Sequence, residues 1–136
     1  MYKNILVGLS LEQGLSNQLL TLADALLDAS GKITLIHVID LIPSYARLYM
    51  NESSEQNVEE TALKHMKARL TDFERLNVES VIQRGHAGQT ILDYAREKQI
   101  DCIIVGSHKP GLQDFFLGST STRISRYAEC SVHIVR

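Results

Sequence analysis

Three stretches of this chain are apolar almost without interruption yet too short for a buried helix: Ile5-Leu6-Val7, Ile33 to Ile39, and Cys102 to Val105. Short runs rich in Ile and Val are strands covered on both faces. Between them apolar residues recur at three- and four-residue spacing. Leu15, Leu19, Leu22, Ala23, Leu26 and Leu27 form one stripe, Val58, Ala62, Met66, Leu70 and Phe73 a second, and Ile91, Leu92 and Ala95, with Ile100 at the exit, a third. Each stripe predicts an amphipathic helix, and Ser30-Gly31 is expected to stop the first. From Asp40 to Gln56 no period holds, and Pro43 with Asn51-Glu52-Ser53-Ser54 predicts a long, mobile loop. Val78 to Gln83 is a more polar strand, expected near a sheet edge. Gly85 and Gly88 are expected to bracket a turn. Ser119 to about Glu129 predicts the last helix, and Ser131 to Val135 a closing strand.

Strands and helices therefore alternate. Short apolar strands joined by right-handed helical crossovers predict an α/β fold: an open five-stranded parallel sheet, order 3-2-1-4-5, with helices on both faces, Rossmann-like. At 136 residues the chain is expected to be a single domain, 1–136. Such sheets bind ligands beyond the carboxyl ends of the strands, where strand order reverses. With the first strand central, the Gly8 and Gly106 ends become neighbours.

The residues at that position carry the chemistry. Val105-Gly106-Ser107-His108-Lys109 ends a buried strand, and Gly118-Ser119-Thr120-Ser121-Thr122 opens a helix. A helix start leaves backbone N–H groups without intrahelical partners and concentrates partial positive charge. Flanking glycines admit close backbone approach to an anion, and phosphate fits best. Serine at a helix start also serves as an ordinary cap. A run of four hydroxyls exceeds what capping needs, because they compete with backbone bonds. Lys109 is either a solvated loop residue or a counter-charge. Arg123 fits the solvent face better than the site. Asp114, Phe115 and Phe116 are expected to fold the loop onto the body or to meet a partner.

The segments just quoted, with Tyr2 to Val7, Leu35 to Asp40, the Gly85 to Leu92 turn and helix, and the ending Ala128 to Val135, together resemble the universal stress protein family over nearly the whole chain. ATP-binding members carry Gly, two residues, Gly, nine residues, Gly, then Ser or Thr. Gly106 and Gly118-Ser119 match that pattern; Lys109 stands at the second glycine, and the following loop is one residue shorter. The variant is similar to a nucleotide-binding subgroup that reads Gly-Ser-His-Arg/Lys-Pro. Ser10 stands where members usually carry aspartate. The resemblance implies an adenine nucleotide, ATP or AMP, with or without Mg. It puts adenosine over Gly8-Leu9-Ser10 against the backbone of Val38, and the phosphates on Gly106, Gly118, Ser119, Thr120 and Ser121 with Lys109 beside them. It also implies a homodimer through the edge strand Ser131 to Val135, and a regulatory stress-response role with an unidentified protein partner. Two alternatives fit the same residues: a nucleotide-free dimeric adaptor, and a slow ATPase or autophosphorylating protein.

Other classes are disfavoured. A net charge of −2 gives no field that attracts nucleic acid. No apolar stretch reaches the roughly 20 residues a membrane span requires, and no signal-peptide pattern opens the chain, so a cytoplasmic location is expected. Cys102 and Cys130 lack metal-ligand spacing, and a buried free Cys102 in a reducing compartment fits better. No nucleophile–base spacing and no Walker-type loop follow the first strand, so no catalytic residue is assigned. His37 fits a satisfied strand histidine.

Overall fold

The computed structural model describes residues 1–9, 15–73, 77–107 and 117–136. Along the chain run β1 (Tyr2–Gly8), α1 (Leu15–Leu26), β2 (Leu27–Ile39), α2 (Ser44–Arg47), α3 (Glu52–Arg69), a 3-10 turn (Thr71–Phe73), β3 (Val78–Arg84), α4 (Ala87–Glu97), β4 (Cys102–Gly106), α5 (Ser119–Tyr127) and β5 (Ser131–Val135). The five strands pair in the order β3-β2-β1-β4-β5, every pairing parallel, as the alternation predicts.

Alternating side chains of the central strands feed two apolar layers. Ile5, Val7, Ile33, Leu35, Cys102 and Ile104 pack with Leu19, Leu20 and Ala23 of α1 and Met66 of α3. Leu6, Ile36, Ile103 and Val105 turn the other way, onto Ile91, Leu92 and Ala95 of α4 and Ile124 of α5. Ile5, Leu6 and Val7 are wholly buried, which only a strand with helices on both faces achieves. Cys102 is a free, buried thiol, and burial pushes its pKa up to about 12.

Five expectations are corrected. The first helix ends at Leu26, not at Ser30-Gly31, and Leu27 opens β2 opposite Tyr2. Ser30-Gly31, expected to stop that helix, lies inside β2's range, where the Asp28 carboxylate accepts the Ser30 N–H at 3.0 Å and its hydroxyl at 2.9 Å. Those bonds hold Asp28 below the usual carboxylate range. The stretch Asp40 to Gln56 is not a continuous loop: it contains α2, and α3 begins at Glu52. Asn51 caps α3, its side chain accepting the Ser54 N–H at 2.9 Å. In α3 only Ala62 and Met66 of the expected stripe are buried, and Val58 is exposed. Gly85 does sit in the turn, at φ +147°, but Gly88 lies in the first turn of α4. The last helix stops at Tyr127, short of Glu129, because Ala128 is already extended.

The turn from α4 into β4 is tied to the start of β1. The Asp101 carboxylate accepts the N–H groups of Lys3 and Asn4 at 2.9 and 3.0 Å, and the Asn4 amide donates to the Lys98 carbonyl at 2.9 Å. This clamp closes the amino edge of the sheet and leaves the opposite edge as the place for a ligand.

Candidate functional site

The β1–β4 register, Val7 opposite Ile104, sets Gly8 beside the end of β4. The chain order reverses between these strands, which makes this the switch point of the sheet. Gly8 is required by packing. A Cβ there would lie 2.8 Å from Val105 Cγ1 and 3.2 Å from Ile91 Cδ1. Leu9 continues β1 by one bond, its N–H donating to the Ile36 carbonyl at 2.8 Å. Its own carbonyl lies 3.0 Å from His37 Nδ1. A carbonyl only accepts, so Nδ1 carries the proton and donates. His37 is thus a satisfied strand histidine that fixes the end of β1.

Val38 stands two residues beyond Ile36, where the β1–β2 ladder makes its last rung at Gly8 and Ile36. Successive residues of a strand direct their N–H and C=O to opposite neighbours, so those of Val38 face the side on which β1 pairing has ended. The sequence gives no sign of this, since Val38 looks like any core valine.

On the other side of the switch point, Ser107 is buried. Its N–H donates to the Val135 carbonyl at 2.8 Å, and its carbonyl accepts the Gly118 N–H at 2.6 Å. The same carbonyl accepts the Ser121 hydroxyl at 2.7 Å. Together these bonds hold the start of α5 against the end of β4. Gly118 occupies the cap position with extended backbone and no side-chain cap. The first helical bond runs from the Thr122 N–H to the Gly118 carbonyl at 2.9 Å. The N–H groups of Ser119, Thr120 and Ser121 therefore have no intrahelical acceptor, and the dipole adds its positive end there.

The four-hydroxyl run divides in two. Ser121 is a buried latch, whereas Ser119 is exposed and Thr120 half-exposed at the helix tip. Thr122 is exposed one residue further on. Arg123 stays outside: its Nε and Nη2 donate to the Gln89 side-chain oxygen at 3.1 and 2.7 Å, and its guanidinium lies 5.3 Å from the Tyr127 ring centroid. Gly88 makes room for it, since a Cβ there would touch the Arg123 stem at 3.1 Å. Gly8, Leu9, Val38, Val105, Gly106, Ser107 and Gly118 to Ser121 thus gather at one edge of the sheet. Ser10, His108 and Lys109 lie outside the described residues, as do Asp114, Phe115 and Phe116.

Among the described residues, no group of three or more His, Cys, Asp or Glu is placed to hold a metal ion. No helix among them is long and apolar enough to cross a membrane. A hollow of about 200 Å³ lies between the far ends of α4 and α5, lined by Leu92, Arg96, Ile103, Tyr127 and Cys130. It opens at the opposite edge of the sheet from Gly8 and Gly106, and its one arginine is already paired with Glu129 at 3.3 Å. Nothing there matches an anion site.

Comparison with known proteins agrees with this architecture. Universal stress protein A homolog 2 of Coxiella burnetii is 34% identical over 141 aligned residues, covering 99% of this chain and 95% of that protein. The solved structure of the hypothetical protein MJ0577 superposes with a TM-score of 0.84 at 24% identity, over 99% of this chain and 96% of that one. The universal stress protein of Archaeoglobus fulgidus, solved in complex with dAMP, gives 0.67 at 16% identity over 99% of this chain and 98% of that one. A family protein of Arabidopsis thaliana with AMP bound gives 0.64 at 15% identity over 98% and 90%. The model of the universal stress protein family matches residues 1–136. From end to end, this chain belongs to the universal stress protein family.

Proposed function

We propose that this protein binds an adenine nucleotide, ATP or AMP, at the carboxyl edge of its sheet and acts as a regulatory module. The observation that carries the reading is the uncapped start of α5, held by Ser107 and Ser121 beside the glycine end of β1. The phosphates rest on the amides of Ser119, Thr120 and Ser121 and on the hydroxyls of Ser119 and Thr120, with Gly106, His108 and Lys109 around them. Adenosine lies over Gly8-Leu9-Ser10, and Val38 offers its edge N–H and C=O to the base. Gly8-Leu9-Ser10 form the adenosine floor, and Val105 and Ser107 complete the nucleotide-binding set. Relatives of the same fold that were solved with dAMP and AMP support the ligand class. A Mg ion, if it accompanies ATP, supplies phosphate charge neutralisation and takes its oxygen ligands from the nucleotide and water.

Exposed helix-end interactions contribute only about 0.3–1 kcal/mol each. Affinity then depends on adenosine burial and falls near micromolar, about −8 kcal/mol. The edge strand β5 would pair with its copy in a partner subunit, which covers unpaired backbone groups in a homodimer. A rival reading, the nucleotide-free dimeric adaptor, draws on one observation: the Gly118 N–H and the Ser121 hydroxyl are already spent on the Ser107 carbonyl. Titration calorimetry with ATP and AMP, and nucleotide analysis of the denatured supernatant, decide between them. Micromolar binding upholds the proposal. No heat at millimolar nucleotide and none released on denaturation gives the adaptor.

A further inference from the structure

The segment between β2 and α3 exposes large apolar side chains that packing in the monomer does not use. Tyr45 is 73% exposed, Leu48 84% and Tyr49 91%, with Leu41 at 50%. Helical bonds from Tyr49 N–H to Ala46 and from Met50 N–H to Arg47 continue the turn of α2. Tyr45, Leu48 and Tyr49, at i, i+3 and i+4, therefore share one side of it. Val58, one turn beyond Glu55 on α3, is exposed as well. Single exposed apolar residues are ordinary, but a cluster of this kind marks a contact surface.

The charge around the cluster selects the occupant. Asp40 precedes it, and Glu52, Glu55 and Glu60 follow it on α3, against the single cation Arg47 in the segment 40–60. Arg84 reaches α3 from β3 but is bonded to Glu59 at 2.8 Å. A second copy docking the same face symmetrically would set carboxylates against carboxylates. An anionic lipid surface or nucleic acid would be repelled likewise. A cationic amphipathic helix fits both features, because its apolar face covers Leu48 and the tyrosine rings while its Lys and Arg meet the carboxylates and ring faces.

We propose that α2 and the amino-terminal half of α3 form a docking surface for a basic amphipathic helix of another protein. The surface uses none of the residues assigned to the nucleotide, and its test reads peptide binding without nucleotide, so this inference stands or falls independently of the proposed function.

The probe is a fluorescein-labelled peptide about 18 residues long, five helical turns, patterned from Leu and Lys. Its control carries Glu in place of Lys. By fluorescence anisotropy the Leu/Lys peptide should bind the parent protein. Binding should weaken at least about tenfold in Leu48→Ser/Tyr49→Ser, and by a smaller, salt-dependent factor in Glu52→Gln/Glu55→Gln. Leu48, Tyr49 and Glu52 are exposed and Glu55 is half-buried, and circular dichroism should show the parent fold for both variants. Equal binding to parent and Leu48→Ser/Tyr49→Ser, or equal binding of the Glu peptide, overturns the proposal. So does sedimentation showing that Leu48→Ser/Tyr49→Ser dissociates an oligomer the parent forms, which would make a second copy the occupant. Retention of the parent, but not of that variant, on phosphatidylserine vesicles would assign the surface to lipid and overturn it equally.

Discussion

Gln99 is held in the left-handed region at φ +54°, and replacing it by glycine should stabilise the protein. The position is the first residue past the cap of α4. Its N–H donates to the Arg96 carbonyl at 3.3 Å, and the Ile100 N–H reaches back to the Ala95 carbonyl at 2.9 Å. That pair of bonds is a Schellman motif, in which glycine is the usual residue at this place. The apolar contact of such a motif is present too, since Ile100 and Ala95 are both buried in the α4 layer. A residue with a Cβ loses about 1–2 kcal/mol in this conformation. Gln99→Gly removes that strain but returns about 0.4–1 kcal/mol of unfolded-state entropy. The Gln99 side chain is exposed, so little else changes. The net gain is about 0.5–1 kcal/mol. With an unfolding entropy of about 0.29 kcal/mol/K for a chain of this length, the midpoint should rise by about 2–3.5 °C. Differential scanning calorimetry checks it, with Gln99→Ala as the control that keeps the Cβ and should stay close to the parent. A lower midpoint for Gln99→Gly, or an equal rise for Gln99→Ala, would refute the account.

Three further outcomes are expected. Ser119→Asp places a carboxylate at the tip of α5, so it should stabilise the helix by about 0.3–1 kcal/mol while costing at least tenfold in adenine-nucleotide affinity; a thermal scan and a calorimetric titration read the two opposite signs. Asp101→Ala deletes the acceptor of two backbone N–H groups and should destabilise by about 1–3 kcal/mol in urea unfolding, with nucleotide affinity unchanged because the clamp lies at the far edge of the sheet. Cys102 keeps its proton to about pH 12 in the folded chain, whereas an unfolded thiol loses it near pH 8.5. The folded state therefore binds more protons than the unfolded one between those values, and stability should fall as pH rises through that window. Cys102→Ala should flatten the fall, and iodoacetamide at pH 8 should label Cys130 before Cys102.

The uninterrupted apolar runs made the central strands legible, because only burial on both faces explains Ile5-Leu6-Val7 or Cys102 to Val105. The glycine at the end of each run, followed late in the chain by Gly118 and hydroxyls, likewise marked the candidate site. Local pattern misled where two periods overlapped. Leu22, Leu26 and Leu27 suit a helical stripe, yet Leu27 pairs with Tyr2, a contact that no nearby residue announces. Asn51 was a cap hidden in a polar stretch, recognisable only once α3 is seen to start at Glu52.

Sequence by itself determined the class of fold, since hydrophobic periodicity is a local property and short apolar strands joined by helical crossovers pair in parallel. Tertiary structure alone decided which hydroxyl is a latch and which faces out. It also decided that Val38 lies beyond the last β1–β2 rung, at Gly8 and Ile36, and that Tyr45, Leu48 and Tyr49 stay on the surface. Those outcomes depend on where neighbouring strands end and which carbonyl lies within hydrogen-bond reach, and distances between remote segments are set by packing rather than by spacing along the chain.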